Sequence, residues 1–301
     1  MQVSRLRRAG LVVAAVFITA ATSLSPASAA PVTGLFGAQD ATYDGVYRQS
    51  LVITGLRANG AAVPAAARSW LKAQQCADGG FMSFRADTSV ACTPGDAATY
   101  SGEDTNATAA AAIALAALGE KQAAARAIAF LRAAQNVDGG FPYYAKSGSD
   151  VNSSAMAMLA LRANRLNPAT VTRGELTVVD YLVTATLDCT ADAAARGALA
   201  YTATAPLMAN DMATVQALAA LSNTLPWSNP KANAARLAPK KAAARAAVKA
   251  VPTLTCPGSL SDSVPRLRDI VAGYTASRLN ANAAAIPSAW GAGSDLGSTA
   301  W

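Results

Sequence analysis

At 301 residues, with 52% hydrophobic and only 14% charged positions, the chain is long enough to bury a large apolar core and too apolar for a disordered polymer. Its formal net charge of +7 is mild for this length, and it contains no histidine. The missing imidazole excludes Ser-His-Asp and Cys-His catalysis and every histidine-bearing zinc site.

Arg5, Arg7 and Arg8 precede an apolar run, Leu11–Leu24, that gives way to small residues at Ala27 and Ala29. This basic, apolar, small-x-small order is that of a secretory signal, with cleavage expected after Ala29. Losing the three arginines takes the formal charge from +7 to +4. The residues after the arginine pair fit twin-arginine export poorly. No later segment holds the ~20 consecutive apolar residues of a spanning helix, so the mature chain is expected to be secreted and not transmembrane. Export places the four cysteines, Cys76, Cys92, Cys189 and Cys256, in an oxidising compartment, where two disulfides are expected rather than a metal site. Three pairings are possible, and Cys76–Cys92 with Cys189–Cys256 is favoured because each bridge closes a modest loop between candidate helices.

Apolar residues recur at helical spacing and alternating β-branched runs are scarce, so the expected class is all-α. Helices are predicted over Gly45–Ala58, Ala65–Gln75, Thr105–Gly119, Lys121–Gln135, Val151–Asn164, Arg173–Thr186, Met212–Asn223, Ala232–Lys249 (interrupted at Pro239) and Val264–Leu279. They group into about four helical hairpins. The expected organisation is a signal over residues 1–29, one helical domain over 30–280 and a flexible tail over 281–301.

Self-similarity is the strongest signal. Leu-x3-Gln-x2-Asp-Gly-Gly-Phe occurs at Leu71–Phe81 and again at Leu131–Phe141. The other helix of a pair opens with Asp-x-Asn-x-Ser/Thr, at Asp104 and Asp150, with a decayed copy from Asn210. Outer and inner helices therefore alternate, as in α-solenoids and closed α/α rings. The glycines are placed to close a helix C-terminus, Gln75 and Gln135 to bond its free carbonyls, and Phe81 and Phe141 to fold back over the turn. Trp70 and Phe130 are expected to point toward the neighbouring hairpin.

The stretches "RAIAFLRAAQNVDGGF" (Arg126–Phe141) and "AARSWLKAQQCADGGF" resemble the QW-type repeat of the terpenoid cyclase and protein prenyltransferase α/α-toroid superfamily. With the Asp-x-Asn openings, the resemblance covers about Asp40 to Ser222 and implies an α/α-toroid, a closed or nearly closed ring of helical hairpins. An open solenoid of the same hairpins is the alternative. Prenyltransferase activity would require zinc ligands and basic diphosphate clamps, yet the inner-helix starts carry Asp104, Asn106, Asp150, Asn152 and Asp211. Squalene-type cyclases use an Asp-x-Asp-Asp acid, which is missing. "LDCTADAA" resembles the Asp-Cys-Thr-Ala-Glu motif of oxidosqualene cyclases and makes Asp188 a weak candidate for the catalytic acid. The texture of "NSSAMAMLALRA" is similar to transcobalamin-type carriers, secreted toroids without catalytic residues. That similarity implies a cobalamin-like ligand, although those carriers close over it with a β-rich domain that has no counterpart in this sequence.

The inner-helix openings read both as N-caps and as hydrogen-bonding groups at a common mouth. Candidate ligand-binding residues are Asp104, Asn106, Asp150 and Asn152, the aromatics Tyr143 and Tyr144 before the second Asp-x-Asn helix, and Tyr43, Asp44, Tyr47 and Gln49 at the first inner opening. Lys240, Lys241 and Arg245 fall in an acid-free stretch that is either a solvated face or a weak contact for anionic cell-envelope polymers. Export and the lack of paired aromatics argue against nucleic acid. The expected function is non-catalytic binding of a small or extended ligand in the cavity of the ring. A divergent terpenoid-cyclase-like enzyme using Asp188 and an envelope scaffold are the alternatives.

Overall fold

A computed structural model describes residues 34–37, 45–222 and 267–275. The expected signal, the tail, Tyr43, Asp44, the helix at Ala232–Lys249 with its basic residues, and Cys256 lie outside the described residues. Within them the chain is mostly α. The helices are α1 (Val46–Ala58), α2 (Ala65–Ala73), α3 (Thr105–Leu118), α4 (Lys121–Ala134), α5 (Val151–Ala163), α6 (Val178–Thr184), α7 (Asp211–Leu221) and α8 (267–275). Two antiparallel ladders of two residues each, Phe141–Pro142 with Ser149–Asp150 and Thr172–Arg173 with Leu176–Thr177, sit in the connections. No described helix is long and apolar enough to cross a membrane.

The two kinds of helix differ in side-chain character because they face different surroundings. Helix α3, TNATAAAAIALAAL, carries no charge and is buried almost all round, and α5 is buried nearly as fully. Small side chains let such helices approach closely, and α1, α3, α5 and α7 lie side by side in chain order. Helices α2 and α4 bury one stripe (Ala67 and Leu71; Ala127, Ile128 and Leu131) and expose their lysines and arginines. Glu120 ties them together at the surface, 2.9 Å from Lys72 Nζ and 3.7 Å from Arg68 Nη1.

The twin stretches have a more specific job than closing a helix. A Cβ added to Gly79 (φ +101°) would lie 2.4 Å from the Arg126 carbonyl oxygen, and one on Gly80 would lie 2.6 Å from the Phe130 ring. At Gly139 (φ +83°) and Gly140 the obstacles are the Thr177 carbonyl oxygen at 2.2 Å and the Tyr181 ring at 2.7 Å. The same relation ties Gly34 to Ala66 and Trp70, and Gly197 to Ile270 and Tyr274. In each case the two partners are four residues apart, on α2, on α4, across the N-cap and first turn of α6, or on α8. The glycines recur because that backbone comes to rest on them. Gln75 completes the joint by donating to Gly79 O at 3.1 Å and Ala123 O at 2.9 Å, while Arg126 donates to its Oε1. Gln135 repeats this with Gly139 O and Val171 O.

Two departures from the sequence reading have local causes. Helix α6 starts at Val178 rather than Arg173, because Thr172–Thr177 forms a hairpin and Thr177 with Asp180 supplies a complete capping box. The third turn replaces Gln-x2-Asp-Gly-Gly-Phe by Thr186 and a longer loop that returns at Gly197–Leu199. The Cys76–Cys92 disulfide is formed.

Candidate functional site

Every inner helix after the first starts the same way. Asp104 Oδ1 accepts from Ala107 N at 2.6 Å, Asp150 Oδ1 from Ser153 N at 2.7 Å, and Asn210 Oδ1 from Ala213 N at 2.9 Å. Three residues into each helix, a hydroxyl (Thr108, Ser154 or Thr214) accepts the backbone N–H of Phe81, Phe141 or Leu199 at 2.9–3.0 Å. The first helical N–H of α1, α3 and α5 donates to a carbonyl of the following hairpin: Val46 to Ser83, Thr105 to Tyr143 and Val151 to Tyr201. Consecutive helix starts are thereby pinned in register.

That register aims the second and sixth residues of the inner helices at one place. Tyr47, Asn106 and Asn152, from the second positions of α1, α3 and α5, and Met156 and Gln216, from the sixth positions of α5 and α7, line a cavity of about 280 Å³ together with Ser83, Asp104 and Tyr143. Tyr47 Oη donates to Met156 Sδ at 3.8 Å across it, although α3 lies between their helices in the row. The side-chain oxygens of Asn106, Asn152 and Gln216 are buried and find no hydrogen-bond partner among the described residues. Burial pushes the Asp104 carboxyl up to about 7, against the opposing pull of the Ala107 and Asn106 N–H groups. The Tyr47 hydroxyl is raised by burial and then by the nearby Asp104 charge.

The candidate residues separate clearly. Asp104, Asn106, Asn152 and Tyr143 meet in this cavity, and Tyr143 also borders a neighbouring groove of about 820 Å³ that Tyr144 and Asp150 line. Burial also raises the Asp150 carboxyl, whose two oxygens both bond Ser153. Gln49 is elsewhere. Its amide accepts from Phe36 N at 2.8 Å and donates to Phe36 O at 3.0 Å, so it anchors the 34–37 segment. Met156, Gln216 and Ser83 were not anticipated. The first two could have been found by reading the Asp-x-Asn register one further turn along each inner helix.

Asp188 lines neither cavity. Thr190 donates to it through Oγ1 at 2.7 Å and N at 2.8 Å, and these bonds hold its carboxyl below the usual range. A group that must protonate an alkene needs the opposite shift. Cys76 and Cys92 come together with Glu103, but both sulfurs are spent in the disulfide and neither offers a thiolate to a metal. No lysine or arginine is among the described residues that line the cavity. At about 280 Å³ it lies just below the usual range for drug-sized ligands. Comparison of the chain with family models and with curated proteins finds no match in either.

Proposed function

We propose that the chain is an exported, non-catalytic binding protein of α/α-toroid type, akin to the QW-repeat superfamily, that holds a compact polar ligand at the common mouth of its inner helices. The convergence of three amides from α3, α5 and α7 on one cavity, each with a buried oxygen lacking a partner, carries this reading. An unsatisfied buried acceptor costs about 1–3 kcal/mol. Three such groups in one small wall are acceptors that a ligand bearing several hydrogen-bond donors would satisfy. Asp104 and the Met156 sulfur add acceptors, which favours a polyol or an amine over a phosphate or a carboxylate. The contact between Tyr47 and Met156 over the intervening α3 supports a row of inner helices that bends toward a ring.

The chain has no histidine, and no lysine is among the described residues that line the cavity. Thermal denaturation of the purified chain against a panel of small polyols and amines tests the proposal. A ligand present at 100 times its Kd contributes about 2.7 kcal/mol, which raises Tm by roughly 5–10 °C for a domain of this size. Asn106→Ala combined with Asn152→Ala should abolish the shift while leaving the helical circular dichroism intact. Stabilisation that survives both substitutions, or that comes only from isoprenoid diphosphates, would refute the reading.

A further inference from the structure

Five of the chain's eight tyrosines, Tyr100, Tyr143, Tyr144, Tyr181 and Tyr201, border the groove of about 820 Å³ beside the mouth cavity. They arrive from separate segments: the loop after Cys92, the loop entering α5, helix α6 and the loop before α7. Burial accounts for Tyr144 and Tyr181, which are almost covered, but not for the other three. Tyr100 is 82% exposed, Tyr201 51% and Tyr143 38%.

The rings stand on fixed backbone. Tyr100 occupies the left-handed region (φ 52°), an uncommon place for a bulky side chain. Its loop is held there by Asp96, which accepts from Ala98 N at 2.9 Å and Thr99 Oγ1 at 2.8 Å and pairs its backbone with Ser101. The carbonyls of Tyr143 and Tyr201 accept the first N–H of α3 and α5, each at 2.9 Å. Tyr144 packs edge-on against Tyr143 with ring centroids 4.6 Å apart, and Tyr181 Oη donates to Ser149 O at 2.7 Å. Backbone strain kept at an outward-facing tyrosine is the kind of outlier that points to a binding role.

The rest of the lining narrows the ligand. Among the described residues, no lysine or arginine borders the groove, and no aliphatic side chain there is larger than alanine. An anion would meet Asp138 and Asp150 without a counter-charge, and a lipid chain would find no aliphatic surface. A proline-rich peptide would also stack on the tyrosine rings, but it offers few donors and leaves the Asp138 carboxylate unmatched. A quaternary ammonium needs a compact cage, and a groove of about 820 Å³ is larger than that. Flat faces with many hydroxyl donors around them match the surface on every count. We infer that this groove is a glycan-binding site, in which sugar faces stack on Tyr100, Tyr143 and Tyr201 while hydroxyls donate to Asp138.

The test uses the mature full chain with neutral hexamers of β-1,4-linked glucose, β-1,4-linked N-acetylglucosamine and α-1,4-linked glucose, measured by titration calorimetry. At least one hexamer should bind, with an affinity insensitive to salt. Tyr100→Ala and Tyr201→Ala should each weaken it about two- to tenfold, while Tyr100→Phe should preserve it, since stacking requires the ring and not the hydroxyl. No heat with any hexamer would overturn the inference, as would binding that ignores both alanine substitutions. Preferential binding of tetramethylammonium or of a proline decamer would overturn it too. Tyr100 and Tyr201 do not line the mouth cavity, so this site and the cavity proposal fail or stand separately.

Discussion

Replacing Gly139 by alanine tests whether the repeated glycines exist to seat the next hairpin. The substitution has two costs. A non-glycine residue at φ +83° sits in the left-handed region, at about 1–2 kcal/mol. The new methyl would also lie 2.2 Å from the Thr177 carbonyl oxygen, at the start of α6, so the hairpins must separate. Overpacking of this kind costs about 1–3 kcal/mol, which brings the total to roughly 2–5 kcal/mol. Gly60 isolates the first cost, because it has φ +72° with nothing within 4 Å of its added Cβ. Gly60→Ala should therefore lose only about 1–2 kcal/mol. Urea unfolding followed by circular dichroism compares the two, with the change in midpoint read at constant slope. If Gly139→Ala is no more destabilising than Gly60→Ala, the glycines answer only to local backbone conformation and the seating explanation is wrong.

Three further outcomes are expected. Asp104 titrates near 3.8 in the unfolded chain and about 7 in the native one, so the folded state keeps a proton that the unfolded state releases. The part of the stability that Asp104 controls should therefore be greatest below about pH 4 and fall by roughly 3–4 kcal/mol as the pH rises through 7. Asp104→Asn, which still caps the helix, should remove that part of the slope and leave the part due to Glu103, also pushed up to about 7 by burial and Asp78; an unchanged profile in urea titrations at pH 4.5, 6 and 7.5 would contradict this. Ser154→Ala should strand the Phe141 N–H at a cost of about 1–3 kcal/mol, with faster hydrogen exchange at that amide, whereas Ser154→Thr should restore the protection. Removing the Cys76–Cys92 bridge, which spans a sequence separation of 16, should cost about 3 kcal/mol in calorimetric comparisons of the wild type with Cys76→Ser/Cys92→Ser.

Features that one helix settles by itself were legible in the sequence. The helical starts at Thr105 and Val151 follow from their Asp caps, and the alternation of two kinds of helix follows from the repeated Asp-x-Asn openings and Gln-x2-Asp-Gly-Gly-Phe endings. Features that depend on a partner far along the chain were not. Gln49 and Asn106 are both polar residues near an inner-helix start, yet Gln49 is consumed by the Phe36 backbone and Asn106 is left facing a cavity. Thr108 and Ser154 close the repeated Asp-x-Asn-x-Ser/Thr opening, but their role as acceptors for Phe81 and Phe141 appears only once the loop has folded back. The late start of α6 required weighing a capping box at Thr177 against apolar spacing that continues upstream.

The inner-helix openings divide labour in a way that explains how a decayed copy can persist. The N-cap and the hydroxyl three residues into the helix are structural, and both survive in α7 as Asn210 and Thr214 even though the Asp-x-Asn pattern does not. The second position makes no such bond. It holds Tyr47, Asn106, Asn152 and Met212 in the four inner helices. Positions that carry the scaffold are confined to what the hydrogen bonds allow, while positions that face the mouth vary freely in size and polarity. In α7 the polar group moves one turn deeper, to Gln216, and still reaches the cavity. A chain under pressure only to pack would fill those positions with alanine, as it does along the rest of α3. That it instead keeps three amides there, at a cost to stability, is the reason to look for what they bind.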